Sequence, residues 1–149
     1  MIAAEEPLTH VAYIYDGTPE GLLTAVFQAY ANHEDPEDIA RESSFQPRLG
    51  QSVRTIESDT ALAERVKRGL VRTTGKAGFN AVLHAALSDD AQAGTIVYRF
   101  IRYAMRADAR RAAIGEIAHP AVAPLVALDR SVMNERHYLQ QFLRFERLQ

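Results

Sequence analysis

The sequence predicts an α+β fold: one mainly helical domain with a small sheet of about three strands. Three observations carry that expectation. The chain of 149 residues has the length of a single domain, with 47% apolar and 24% charged residues, and a domain of that size buries roughly 68–70% of its unfolded surface. Short β-branched runs punctuated by turn residues occur near both ends, and long stretches with helical apolar spacing lie between them.

The first strand is Val11-Ala12-Tyr13-Ile14-Tyr15, closed by Asp16-Gly17. Thr18 then caps a helix, Pro19 occupies its first position, where a missing N–H costs nothing, and Glu20 meets the positive helix end. Leu22, Leu23, Val26, Phe27 and Tyr30 repeat at helical spacing to about Ala31. The acidic stretch His33 to Asp38 breaks the helix, and Gln46 to Gly50 is a second irregular patch with little predictable order between the two.

Val53 to Glu57 alternates with period two and predicts a half-buried second strand. Ser58-Asp59 caps a helix over 60–73, with Leu62, Val66 and Leu70 inward and Arg65, Arg68 and Arg72 outward. Gly75 and Gly78 close it, and a short helix follows with Phe79, Val82, Leu83, Ala86 and Leu87 inward. Ser88-Asp89-Asp90 caps the next helix, over about 90–107, whose apolar face is Ile96, Val97, Phe100, Ile101, Ala104 and Met105. A last long helix covers about 121–139, with Pro124 tolerated near its start. Phe142 to Leu148 alternates and predicts a third strand.

Composition narrows the chemistry. With no cysteine, neither a disulfide nor a thiolate-bound metal or cluster can form, so no cofactor is expected and any redox centre belongs to a partner. A cytoplasmic location is expected, because the N-terminus lacks a signal-peptide pattern and no window approaches membrane-spanning length. The net charge of −2 conceals a division: residues 1–60 hold 11 acids and 3 arginines, whereas residues 99–149 hold 5 acids and 9 arginines. Arginine outnumbers lysine 15 to 2, and its planar fork suits carboxylates and phosphates.

Four groups of residues are candidates for function. Arg99, Arg102 and Arg106 share the outward face of the 90–107 helix, with Tyr98 and Tyr103 on its flanks, a pattern suited to phosphates and stacked bases. The alternative is a solvated helix face. On the last helix Asp129 and Arg136 stand roughly 10 Å apart along the axis, near enough to flank a third group. Glu135 and His137 fall on opposite flanks and make no obvious acid–base pair. The acidic stretch with His33, Glu34, Asp35, Glu37 and Asp38 matches no EF-hand or zinc spacing and predicts a solvated loop, while His10, His84 and His119 read as surface or capping residues. No Gly-rich phosphate loop, G-x-S-x-G elbow or H-E-x-x-H motif is present.

Both ends of the chain resemble one family. Tyr15-Asp16-Gly17-Thr18-Pro19-Glu20 and the segment through Tyr30 look like the opening of the bacterial "probable DNA metabolism protein" family of unknown-function domains. Val132, Glu135, His137, Phe142, Arg144 and Phe145 match its closing pattern of a valine, E-x-H on a helix, then G-F-x-R-F, and Ser88 and the 96–103 helix fall where the family has its middle helices. Tyr138 and Gln141 depart from that pattern, which has arginine and glycine there. Family members are associated with a radical-SAM protein of DNA modification or repair, or are fused to a uracil-DNA glycosylase-type domain. The resemblance therefore implies an accessory role in DNA repair, with Arg144 and Phe145 near a partner or base. Because the family continues past the position of Gln149, the resemblance also implies an open sheet edge at the last strand. The alternatives are a protein-interaction module that never touches DNA, or an enzyme using Glu135, His137 and Asp16.

Overall fold

The computed structural model of the chain describes residues 8–106 and 115–147, with side chains described except at 137, 138 and 141–147. Its elements in order are β1 (Val11–Tyr15), α1 (Pro19–Ala31), β2 (Asp38–Arg41), a 3-10 turn (Glu42–Ser44), β3 (Ser52–Thr55), α2 (Thr60–Ala86), α3 (Ala93–Ala104) and α4 (Ala123–Arg147). The strands form one parallel sheet in the order β2-β1-β3. The architecture is therefore α+β, mainly helical with a three-stranded sheet, as the composition and periodicity predict.

β1 is central and all five of its side chains are buried, which explains why its sequence is a continuous apolar run rather than an alternation. The turn after it is locked by side chains. Asp16 Oδ1 accepts from Thr18 N at 2.9 Å and from Thr18 Oγ1 at 2.6 Å, and Thr18 Oγ1 caps α1 by accepting from Gly21 N at 2.9 Å. Gly17 has φ +87°, a conformation that suits glycine.

Two sheet expectations need correction. The third strand is β2, not Phe142 to Leu148: residues 142–147 continue α4, so the open edge inferred for a C-terminal strand does not exist there. Phe142 and Phe145 are also three residues apart, and six residues of such a pattern serve either period. β2 escapes sequence reading because it is four residues long and begins with an acid; its pairing to β1 and the 3.0 Å hydrogen bond from Ile39 N to Thr95 Oγ1 on α3 hold it. β3 is an exposed edge rather than half-buried, and Ile56 just beyond it supplies the buried contact.

The helices follow the expected faces closely. Asp59 caps α2 through Ala61 N and Leu62 N at 3.0 and 3.2 Å. Gly75, at φ +75° and ψ −179°, breaks α2 where the glycines were expected to end it, and the helix resumes to Ala86. Leu87 lies outside the core, 61% exposed, contrary to its predicted inward position. α3 buries Val97, Phe100, Ile101 and Ala104 against the sheet and α2. α4 begins at Ala123 with Pro124 second, and its buried residues Leu125 and Leu128 follow Val122, while Met133 and Leu139 are exposed. Among the described residues no helix is long and apolar enough to cross a membrane.

Candidate nucleic-acid interface

Helical spacing on α3 places Val97, Phe100, Ile101 and Ala104 inward, so Arg99 and Arg102 must point away from the core, with Arg106 just past the helix end. The structure turns that stripe into one wall of a groove of about 670 Å3. Arg99, Arg102, Met105 and Arg106 line one side. Tyr30 from α1 and the turn His119-Pro120-Ala121 before α4 complete it. His119 belongs to that turn as a cap: its Nδ1 accepts from Ala121 N at 3.1 Å and its carbonyl accepts from Val122 N and Ala123 N, both at 2.9 Å.

The three arginines are not equivalent. Arg102 is half-buried, donates from Nη1 to Tyr98 Oη at 2.7 Å, and lies 3.8 Å from the Asp35 carboxylate. Its guanidinium also sits 5.4 Å from the Tyr30 ring centroid, within cation–π range. Arg99 and Arg106 are exposed and, among the described residues, make no hydrogen bond or close ion pair. Two cations thus stand ready for an external anion, and a third is fixed between them.

Neither flanking tyrosine is a free stacking surface. Tyr98 is 1% exposed and donates to Asp35 Oδ1 at 2.7 Å; burial, reinforced by that bond, pushes its phenol well above the usual range. The expectation that Tyr98 could stack on a base is therefore corrected: at i+1 from Val97 it falls on the same buried arc. Tyr103 stacks on His119 with ring centroids 3.8 Å apart and donates to Glu116. The exposed aromatic at the groove is Tyr30, 46% exposed, which sequence reading assigned to the apolar face of α1. Its place at the end of that helical stripe, beside the helix break, was the only signal.

The acidic stretch is a bonding network rather than a solvated loop. Glu34 is 3% exposed, accepts from Tyr13 Oη at 2.6 Å, and is gripped by Arg54 through Nε at 2.8 Å and Nη2 at 2.6 Å. Hydrogen bonding to Arg54 holds the Glu34 carboxyl below its ordinary value, and burial with the Glu34 bond pushes the Tyr13 phenol up to about 12. Burial would raise the Asp38 carboxyl, but bonds from Gln51 and Arg48 at 2.9 and 2.8 Å hold it low. Glu37 meets His10 at 2.8 Å. Among the described residues no cluster of His, Asp and Glu could hold a metal ion.

The remaining candidates separate. Asp129 pairs with a third group that spacing alone could not name: His84 Nδ1 of α2 lies 2.6 Å from its Oδ1, joining α2 to α4. Tyr15 is buried, and Asp16 with Gly17 builds the capped turn described above. Glu135 is exposed on α4, while the side chains of His137, Phe142, Arg144 and Phe145 lie outside the described ones. No described contact joins Asp16 to Glu135.

Fold and groove together define an α+β domain with an arginine-lined cleft between α1, α3 and the entry to α4. A family model described as a domain of unknown function, DUF4130, matches residues 91–149. The matched segment, which is thus similar to a domain of unknown function, carries α3, α4 and all three groove arginines, whereas β1 to α2 and the Tyr15–Tyr30 segment lie outside the match. No curated protein matches the chain, and no solved structure does.

Proposed function

We propose that this chain is an accessory domain in DNA repair or modification that holds a nucleic-acid backbone in the arginine groove. The observation carrying this is the pair Arg99 and Arg106, exposed at a cleft and without a hydrogen bond or close ion pair among the described residues, Asp38 acting on Arg99 only from a distance. Phosphates replacing their counterions gain affinity without first breaking an internal ion pair. The chain's acidity does not oppose this, because Glu34, Asp35 and Asp38 are spent on Arg54, Arg102 and Arg48. DNA as the particular polyanion rests on the resemblance to the DNA-metabolism family.

Fluorescence anisotropy with single-stranded and uracil-containing DNA across a salt series tests the proposal. The Arg99→Ala, Arg106→Ala double variant should bind more weakly and lower the salt slope by about 1.4, at roughly 0.7 per phosphate on a single strand. Salt-independent or absent binding of the unaltered protein would remove it.

A second reading, a module that docks a radical-SAM or uracil-DNA glycosylase-type enzyme without touching DNA, draws on Met133 and Leu139, exposed to 50% and 57% on α4. Failure to co-purify with such an enzyme encoded beside it would count against that role.

A further inference from the structure

Beside the arginine groove lies a second hollow of about 290 Å3 between α1, α2 and α3. Val26, Phe27, Val66 and Ile101 give it apolar walls. Tyr30 and Met105 line both this hollow and the arginine groove, so the two adjoin across those side chains. Arg65 stands at the apolar hollow with its guanidinium 4.9 Å from the Phe27 ring centroid. α2 contributes Gly69 there, a position without a side chain to fill the space.

We propose that the adjoining hollows form one site for an unpaired nucleotide within a single strand, its base in the apolar hollow and its phosphates along Arg99 to Arg106. This deepens the nucleic-acid reading and rests on it. An apolar hollow alone would accept any ring, and a cationic groove alone any anion. Joined at Tyr30 and Met105, they select a flat apolar group covalently tied to anionic charge. The walls of the hollow are apolar, so they take the faces of a ring and leave its polar edge towards the mouth, where Arg65 stands over Phe27. At roughly 300 Å3, the lower end of small-ligand pockets, the hollow admits a ring rather than a peptide helix.

Arg99 on α3 and Arg106 just past its end are separate cations along one groove, an arrangement that suits the spaced phosphates of a strand better than a single mononucleotide. A paired base stays in its stack and cannot enter the hollow. Single strands are therefore preferred over duplex.

The test compares an oligonucleotide with an abasic strand of equal length and charge, using the full chain. The base-bearing strand should bind about tenfold more tightly, within the range of one stacked base. A Cβ at Gly69 would lie 3.5 Å from Met105 Cε, an ordinary contact, so Gly69→Leu should seat its first carbon and fill the hollow with the rest. That variant should erase the difference between the two strands; retained discrimination overturns the inference. Independently of any variant, 2-aminopurine in the strand should lose fluorescence on binding the unaltered protein, and unchanged fluorescence at saturation overturns it. Equal, salt-dependent affinity for both strands removes the base site and leaves the backbone reading standing. No binding of either strand removes both.

Discussion

Tyr98 of α3 donates a 2.7 Å hydrogen bond to Asp35 in the segment leading into β2. The same phenol oxygen accepts from Arg102 at 2.7 Å, so a buried tyrosine links an acid of the first half to the middle arginine of the groove. That linkage gives Arg102 a fixed place while Arg99 and Arg106 keep theirs open.

Tyr98→Phe keeps the buried ring and removes only the hydroxyl. The loss should be about 2 kcal/mol, at about 1 kcal/mol for each of the two hydrogen bonds removed, or about 4–8 °C in Tm for a domain near this size. Thermal unfolding by circular dichroism checks it.

Acid should weaken the fold through Glu34 and Asp38. Both carboxyls are held below their unfolded values of 4.5 and 3.8, so their contribution is complete above pH 4.5 and is lost as pH falls through the lowered folded values. Urea unfolding between about pH 3 and 6 should show stability falling with pH, less steeply in Glu34→Gln. Arg54→Ala removes the main cause of the lowering and should raise the Glu34 value, as a carboxyl NMR titration would record.

Two glycines of α2 should respond oppositely to alanine. Gly75 has nothing within 4 Å of an added Cβ, yet its φ of +75° strains any L side chain, so Gly75→Ala should cost about 1–3 kcal/mol. Gly69 lies in helical backbone with room against Met105, and Gly69→Ala should stabilise by about 1 kcal/mol or less. Chemical denaturation of both variants reads the signs directly.

Gly94 marks the closest approach of α3 to the sheet. An added Cβ would fall 2.2 Å from the Ile39 carbonyl oxygen, and a backbone atom in a parallel ladder cannot swing aside as a side chain does. Gly94→Ala should therefore push α3 from β2 and cost about 1–3 kcal/mol. Faster hydrogen exchange at the Ile39 amide, which bonds Thr95 Oγ1, would report the separation.

Local signals were legible where one residue's chemistry decides its neighbours' conformation. Thr18 and Asp59 read as caps and are caps. The apolar face of α3 was readable, and so was the common face of Arg99, Arg102 and Arg106, because 3.6-residue periodicity sets both at once. The partners of those residues were not readable. Arg54 and Glu34 are 20 positions apart, and Tyr98 and Asp35 are 63 apart; nothing in local spacing announces such pairs.

From sequence alone came the α+β class, β1 with its capped turn, α1, the main helices and the arginine face, since backbone preferences and apolar period act over a few residues. Only the tertiary structure made Asp38–Arg41 a strand and 142–147 a helical end. Four-residue and six-residue patterns carry too little local preference to choose, and in β2 the choice falls to hydrogen bonds from β1 and α3. The tertiary structure likewise decided that Tyr98 is buried, that the acidic stretch is paired, and that Tyr30 and Met105 join the arginine groove to an apolar hollow. Each depends on which elements pack together, a property of whole faces rather than of neighbouring residues.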